Sequence, residues 1–136
     1  MRTLVTGANG QLGKSIKSLV NQQKIGDSFV FATRDQFDLS NPQSIKSYFQ
    51  SSTFDLIINS AAYTSVDKAE TELAQAYQVN AEAVKYLAQA ALNSDIPLLH
   101  ISTDYVFDGT KQSPYLENDP ICPVNIYGAS KRDCFT

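Results

Sequence analysis

Apolar residues along this chain follow two alternating rhythms. Short unbroken runs, Thr3-Leu4-Val5-Thr6, Phe29-Val30-Phe31-Ala32-Thr33, Leu56-Ile57-Ile58 and Leu98-Leu99-His100-Ile101-Ser102, are separated by stretches whose apolar residues return at helical spacing. Strands alternating with helices are the pattern of βαβ units and a parallel sheet. After the first run, Leu12, Ile16, Leu19 and Val20 form one face of a helix that should end near Gln22. Asn41-Pro42 supplies a cap followed by proline at the first helical position, and Ile45, Tyr48 and Phe49 give that helix a short apolar side. Leu56-Ile57-Ile58 is the kind of run expected of a strand buried on both faces. From about Ala69 to Ala91, the spacing of Leu73, Tyr77, Asn80, Val84, Leu87 and Ala91 predicts one long amphipathic helix, with Asn80 the polar exception. A Pro- and Gly-containing loop should run from Ser102 to about Asn125, and Ile126 to Thr136 begins another helix.

Composition narrows this picture. With 136 residues, 43% of them hydrophobic, the chain has the material for one domain with a single core. A net charge of −3 and no run of Lys or Arg give no footprint for nucleic acid or an anionic membrane, so a small-molecule partner is expected. Cys122 and Cys134 match neither a disulfide framework nor a metal-binding spacing, so the expectation is free thiols and no metal. The first residues lack the apolar core of a signal peptide and no stretch approaches a membrane span, so a cytoplasmic protein is expected.

Gly7, Gly10 and Gly13 are half of the six glycines and stand between the first strand and its helix. Glycine there permits a tight turn, close approach of backbone to a pyrophosphate, and close helix–strand packing, while the helix start offers free N–H groups. With Gln11 and Leu12 they form a candidate dinucleotide-binding turn, so the expected fold class is α/β, a Rossmann-like doubly wound parallel sheet over residues 1–136. Arg34 follows the second strand, where a basic side chain suits the 2′-phosphate of NADPH; a solvated surface arginine is the alternative. Asp38 and Leu39 are candidates to edge the adenine, or else an Asx-type cap and a core leucine.

Tyr127 and Lys131 lie four apart, one turn along a helix. A neighbouring ammonium favours phenolate and brings a tyrosine nearer to acid/base duty, although the same spacing also arises between two ordinary surface residues. Ser102-Thr103-Asp104 sits at the carboxyl end of the fourth run, the edge where open α/β sheets bind ligands, and a hydroxyl there can bond a carbonyl. His100, inside that run, is read as a packing residue.

Taken together, Gly7/Gly10/Gly13, Asn59 to Thr64 (N-S-A-A-Y-T), Val66-Asp67-Lys68-Ala69-Glu70, Ser102 to Gly109 (S-T-D-Y-V-F-D-G) and Tyr127-Gly-x-Ser-Lys131 resemble the extended short-chain dehydrogenase/reductases, and within them the dTDP-4-dehydrorhamnose reductase family. The resemblance implies reduction of the 4-keto group of a dTDP-sugar by NADPH or NADH, yielding dTDP-L-rhamnose. It implies that Tyr127 protonates the forming alkoxide, that Lys131 tunes Tyr127 and binds ribose, and that Thr103 orients the carbonyl. Ala61, Ala62, Tyr63, Thr64 and Ser102 would line the cofactor cleft, and Asn80 matches a structural asparagine of the family. After Lys131 the pattern departs, with Cys134 and Phe135 where the family has Gly and Glu. Since family members are about twice as long, the expectation is an incomplete nucleotide-binding domain lacking the substrate-binding region, inactive alone, with a sheet edge left open to self-association. A non-catalytic regulatory subunit of the same fold, or an NAD-dependent sugar-nucleotide epimerase or dehydratase, are the alternative classes.

Overall fold

A computed structural model describes residues 1–25 and 28–135 of the chain. The predicted end of the last helix at Thr136 lies outside the described residues. Four parallel strands, β1 (Thr3–Thr6), β2 (Phe29–Phe31), β3 (Leu56–Asn59) and β4 (Leu98–His100), lie in the order β2-β1-β3-β4. Thr6 stands in register with Asn59, and Asn59 with His100. The chain leaves β1 in one direction and returns past it to β3, so the strand order reverses between β1 and β3. At such a switch point the connections diverge and leave a crevice at the carboxyl ends of the strands.

The right-handed crossover rule puts α1 (Gln11–Gln22) on one face of the sheet and α2 (Pro42–Ser51) on the other. Helix α2 begins as its sequence predicts, with Asn41 Oδ1 accepting from the Gln43 N–H at 3.0 Å and Pro42 in the first turn. Its inner side, with Phe37, Phe54, Leu4, Ile57 and Leu87, forms the main core. The core aromatics meet in mixed geometry, Phe37 tilted against Tyr48 at 4.5 Å, Phe49 edge-on to Phe54 at 5.9 Å, and Tyr48 stacked with Phe54 at 6.0 Å.

The stretch predicted as one helix from Ala69 differs. A short helix α3 (Val66–Ala69) ends at once, and a turn precedes α4 (Leu73–Tyr77), which runs through a π-helical turn (Gln78–Glu82) into α5 (Ala83–Asn93). The extra residue in a π turn rotates everything before it by about 100°. Ala76 therefore takes the buried position, and Leu73, placed on the inner face by an ideal period, is 44% exposed. Strand β3 also departs from expectation: Ile57 is fully buried, but Leu56 and Ile58 on the α1 side are half-buried. Helix α1 reaches only part of that face, so Leu99, in register with Ile58, is 50% exposed.

Candidate functional site

The turn after β1 begins at Gly7, whose φ of +67° belongs to the left-handed region that glycine enters without strain. A Cβ there would stand 2.7 Å from the Ala61 backbone nitrogen, so only glycine lets the ends of β1 and β3 come so close. Close helix–strand packing falls at Gly13, where a Cβ would overlap the Gly7 carbonyl oxygen. Helix α1 starts from an extended Gly10 with no side chain capping its first turn, which leaves its leading amides facing the crevice.

Across the switch point, β3 ends on Asn59, which is 1% exposed. Its Oδ1 accepts from Thr6 Oγ1 at 2.5 Å and from the Ala61 N–H at 3.2 Å, and Ser60 Oγ donates to the Thr6 carbonyl at 2.5 Å. The segment Ala61 to Thr64 then crosses the mouth of the crevice, held from the far side by Asn80. Asn80 Oδ1 accepts from the Tyr63 N–H at 2.8 Å, while Nδ2 donates to the Tyr63 carbonyl and to Ser130 Oγ, both at 3.0 Å. Tyr63 donates its hydroxyl to Glu72 at 2.7 Å, and this bond to a carboxylate pushes the phenol up to about 12.

Tyr127 and Lys131 are carried by α6 (Ile126–Arg132). Asn125 Oδ1 caps this helix by accepting from the Gly128 N–H at 2.7 Å, and Glu70 accepts from the Ile126 N–H at 2.9 Å. Glu70 belongs to the turn that breaks the predicted long helix, so that break has a use. Tyr127 packs edge-on against Tyr105 with ring centres 5.5 Å apart. Lys131 is 2% exposed; its Nζ donates to the Ile101 carbonyl at 2.6 Å and lies 3.1 Å from His100 Nε2. Burial pushes its amine below the ordinary lysine value. His100, expected to serve packing alone, instead bridges Lys131 to Asn59, whose Nδ2 is 3.0 Å from its Nδ1. Burial, and after it nearness to Lys131, pushes the imidazole down to about 4, so it is uncharged at neutral pH.

These parts line one cleft of about 540 Å³. Gly7, Gly10, Gln11 and Leu12 stand at one wall, Arg34, Asp38 and Leu39 at the end beyond β2, Ala61, Ala62, Tyr63 and Thr64 along the mouth, and Ser102, Tyr127 and Lys131 opposite. Arg34 is 73% exposed and 3.9 Å from Asp38. Asp38 is also the anchor of an Asx turn, accepting from Ser40 N–H and Oγ, which holds its carboxyl below the usual range; Leu39 is a core residue as well as a cleft residue. Gly13 lies behind the turn. Thr103 stands next to the cleft wall, where its hydroxyl accepts from the Tyr105 N–H at 3.3 Å and donates to Asp104 at 3.2 Å. Phe37, Ser40, Ser60, Gln75, Val79 and Ile101 also line the cleft without having been predicted to. Only Ser60, inside the N-S-A-A-Y-T run, carried a signal; the others sit in an irregular loop or on a helix whose phase the π turn altered.

Among the described residues, no group of His, Cys, Asp and Glu is arranged to hold a metal, and no helix is long and apolar enough to cross a membrane. Residues 1–134 match the family model of the RmlD substrate binding domain. The chain is 48% identical over 131 residues to a dTDP-4-dehydrorhamnose reductase of Burkholderia thailandensis, covering 96% of this chain and 43% of that protein. An Aggregatibacter actinomycetemcomitans protein of the same name is 46% identical, covering 97% of this chain and 45% of its own length. Among solved structures, a dTDP-4-dehydrorhamnose reductase of Clostridium acetobutylicum superposes with a TM-score of 0.92 at 36% identity, covering 99% of this chain and 48% of that one. One from Bacillus anthracis, in complex with NADP, gives 0.91 at 37% identity, covering 98% and 47%. The chain thus spans a little under half the length of these relatives. A parallel sheet with its crevice at the β1/β3 switch point, a glycine turn on one wall and a Tyr/Lys helix on the other accord with these matches: the chain belongs to the RmlD family, that of the dTDP-4-dehydrorhamnose reductases.

Proposed function

We propose that this chain is the nucleotide-binding part of an NADPH-dependent dTDP-4-dehydrorhamnose reductase acting in the cytoplasm, with a dTDP-4-keto sugar as substrate. The observation that carries the reading is the single cleft that joins the glycine turn of β1–α1 to Tyr127 and Lys131. The residues fit the cofactor. Gly7 lets the ends of β1 and β3 close together beneath the turn, the first turn of α1 presents uncapped amides for a pyrophosphate, and Arg34 at the far end suits a 2′-phosphate. Bound NADPH would supply the hydride.

The chain's own residues would manage the proton. As hydride reaches the carbonyl carbon, the Tyr127 O–H bond breaks and its proton passes to the carbonyl oxygen, giving the alcohol; the phenolate left behind recovers a proton from water. Lys131 sets the proton affinity of Tyr127 and offers its amine to the ribose hydroxyls. Thr103 orients the carbonyl by exchanging its bond to Asp104 for one to the substrate oxygen, with Ser102 beside it.

Fluorescence titration of the 136-residue chain tests the reading. It should bind NADPH, and Arg34→Ala should weaken NADPH at least about tenfold while leaving NADH nearly unchanged, as loss of one charge-assisted phosphate contact predicts. No detectable binding of either nucleotide would refute the cofactor assignment. The chain alone should not reduce a dTDP-4-keto sugar at the rate of a full-length relative; turnover at that rate would refute its assignment as the nucleotide-binding part.

A further inference from the structure

Helix α6 is only seven residues long, too short to hold a direction of its own, so where Tyr127 stands depends on what fixes its two ends. Toward its end, Ser130 Oγ accepts from Asn80 Nδ2 at 3.0 Å, and the same Asn80 holds both backbone groups of Tyr63. At its start, Glu70 Oε1 accepts from the Ile126 N–H at 2.9 Å, across 56 residues of chain. That N–H is one of the first-turn amides with no partner inside a helix, and the Asn125 side chain is already taken by Gly128. Gly128 and the Tyr127 ring pack against Tyr105, which sets how closely the helix approaches; the hydrogen bonds at its two ends set its direction.

Glu70 reaches Ile126 from a base that is itself fixed. The turn between α3 and α4 returns the Thr71 and Glu72 N–H groups to the Lys68 carbonyl at 3.0 and 2.8 Å, with Thr71 Oγ1 on the same oxygen at 3.1 Å. Two residues after Glu70, Glu72 accepts the Tyr63 hydroxyl at 2.7 Å. The contacts therefore close into a ring. It runs from Tyr63 to Glu72, through the turn to Glu70, across to Ile126, along α6 to Ser130, and through Asn80 back to Tyr63. The ring binds α6 to the mouth segment at both ends of the helix. Without the Glu70 arm the helix would stay pinned at Ser130 and pivot about it, and Tyr127, next to Ile126, lies at the end that moves.

We propose that Glu70 is a positioning residue: by holding the first amide of α6, it sets where the Tyr127 hydroxyl stands in the cleft. The inference rests on the reading of Tyr127 as the group that meets the nicotinamide end of NADPH and the reacting carbonyl. Three substitutions grade the contact. Glu70→Gln keeps an acceptor oxygen, Glu70→Asp carries it one methylene short, and Glu70→Ala removes it.

Two measurements on the 136-residue chain test the proposal. In the nucleotide-free chain, Glu70→Ala should shift the Tyr127 ring resonances, identified by their loss in Tyr127→Phe, and speed hydrogen exchange at the Ile126 amide; Glu70→Gln should do neither. In calorimetric titration, Glu70→Ala should weaken NADPH at least about fivefold, as loss of one hydrogen bond predicts, and leave adenosine 2′,5′-bisphosphate, which lacks the nicotinamide half, unchanged. An unmoved Tyr127 ring in Glu70→Ala overturns the proposal. So does an equal loss for both ligands, the mark of general loosening, or a Glu70→Gln chain that behaves like Glu70→Ala. If Glu70→Ala does not fold, Glu70→Asp is read in the same way. A wild-type chain that binds neither ligand refutes the functional reading alone, because the ring resonances still decide the role of Glu70. NADPH binding that Glu70→Ala leaves unaltered refutes only that role.

Discussion

His100 shows how far the meaning of one side chain depends on what lies across the sheet from it. Its imidazole has an ordinary value of 6.5 and is pushed down to about 4 in the fold. Above pH 6.5 both folded and unfolded chains hold it uncharged. Between 6.5 and about 4 the unfolded chain binds the proton first, so stability falls as pH falls through this window and levels off below it. Asp38 and Asp108, held low by hydrogen bonds from Ser40 and from Thr110 and Tyr115, lose stability only under more acid conditions, below the ordinary value of 3.8. Urea unfolding across a pH series should show both steps, and His100→Gln should flatten the upper one. A series that is unchanged by the substitution would contradict the assignment. Gly7, Tyr127 and Lys131 were legible as candidates because each stands in a local motif, and all three line the cleft. His100 was not, since its partners Asn59 and Lys131 lie 41 and 31 residues away and only strand register and helix docking unite them.

At the scale of elements, the π turn is the informative irregularity. Helical periodicity predicted the inner face correctly from Asn80 to Ala91 and misplaced Leu73, because a period of 3.6 has no way to register one inserted residue. Asn80 lies within the π turn and faces inward, where three hydrogen bonds tie the Tyr63 segment to Ser130 on α6. Asn80→Ala would leave the Tyr63 amide and carbonyl without these partners, and should cost about 2–3 kcal/mol in the urea midpoint while also weakening NADPH binding. A loss confined to stability, with nucleotide affinity intact, would show that the segment does not need α6 to hold its shape. Strand ends were less legible than strand centres. β4 stops at His100, two residues before its apolar run does, because beyond that point the Ile101 carbonyl turns toward Lys131.

For the molecule as a whole, a parallel sheet with helices between its strands was readable in the alternating pattern, while the order of its strands was not. The uneven cover of the sheet was not, because periodicity gives no measure of how far a helix reaches. Leu99 at 50% and Ile101 at 39% exposure form an apolar strip along β4. We expect the chain to self-associate through it, with sedimentation velocity showing species larger than monomer at tens of micromolar and Leu99→Lys reducing them. A strictly monomeric wild-type chain would rule this out. The central place of β1 has a different consequence, for the order in which the chain is made. The first strand to emerge is one that needs two neighbours, and its second, β3, lies 53 residues later, where Thr6 finds Asn59. Pairing at such a distance closes a large loop before it is rewarded, so the two walls of the crevice meet late, and folding should be slow in proportion to that long-range step.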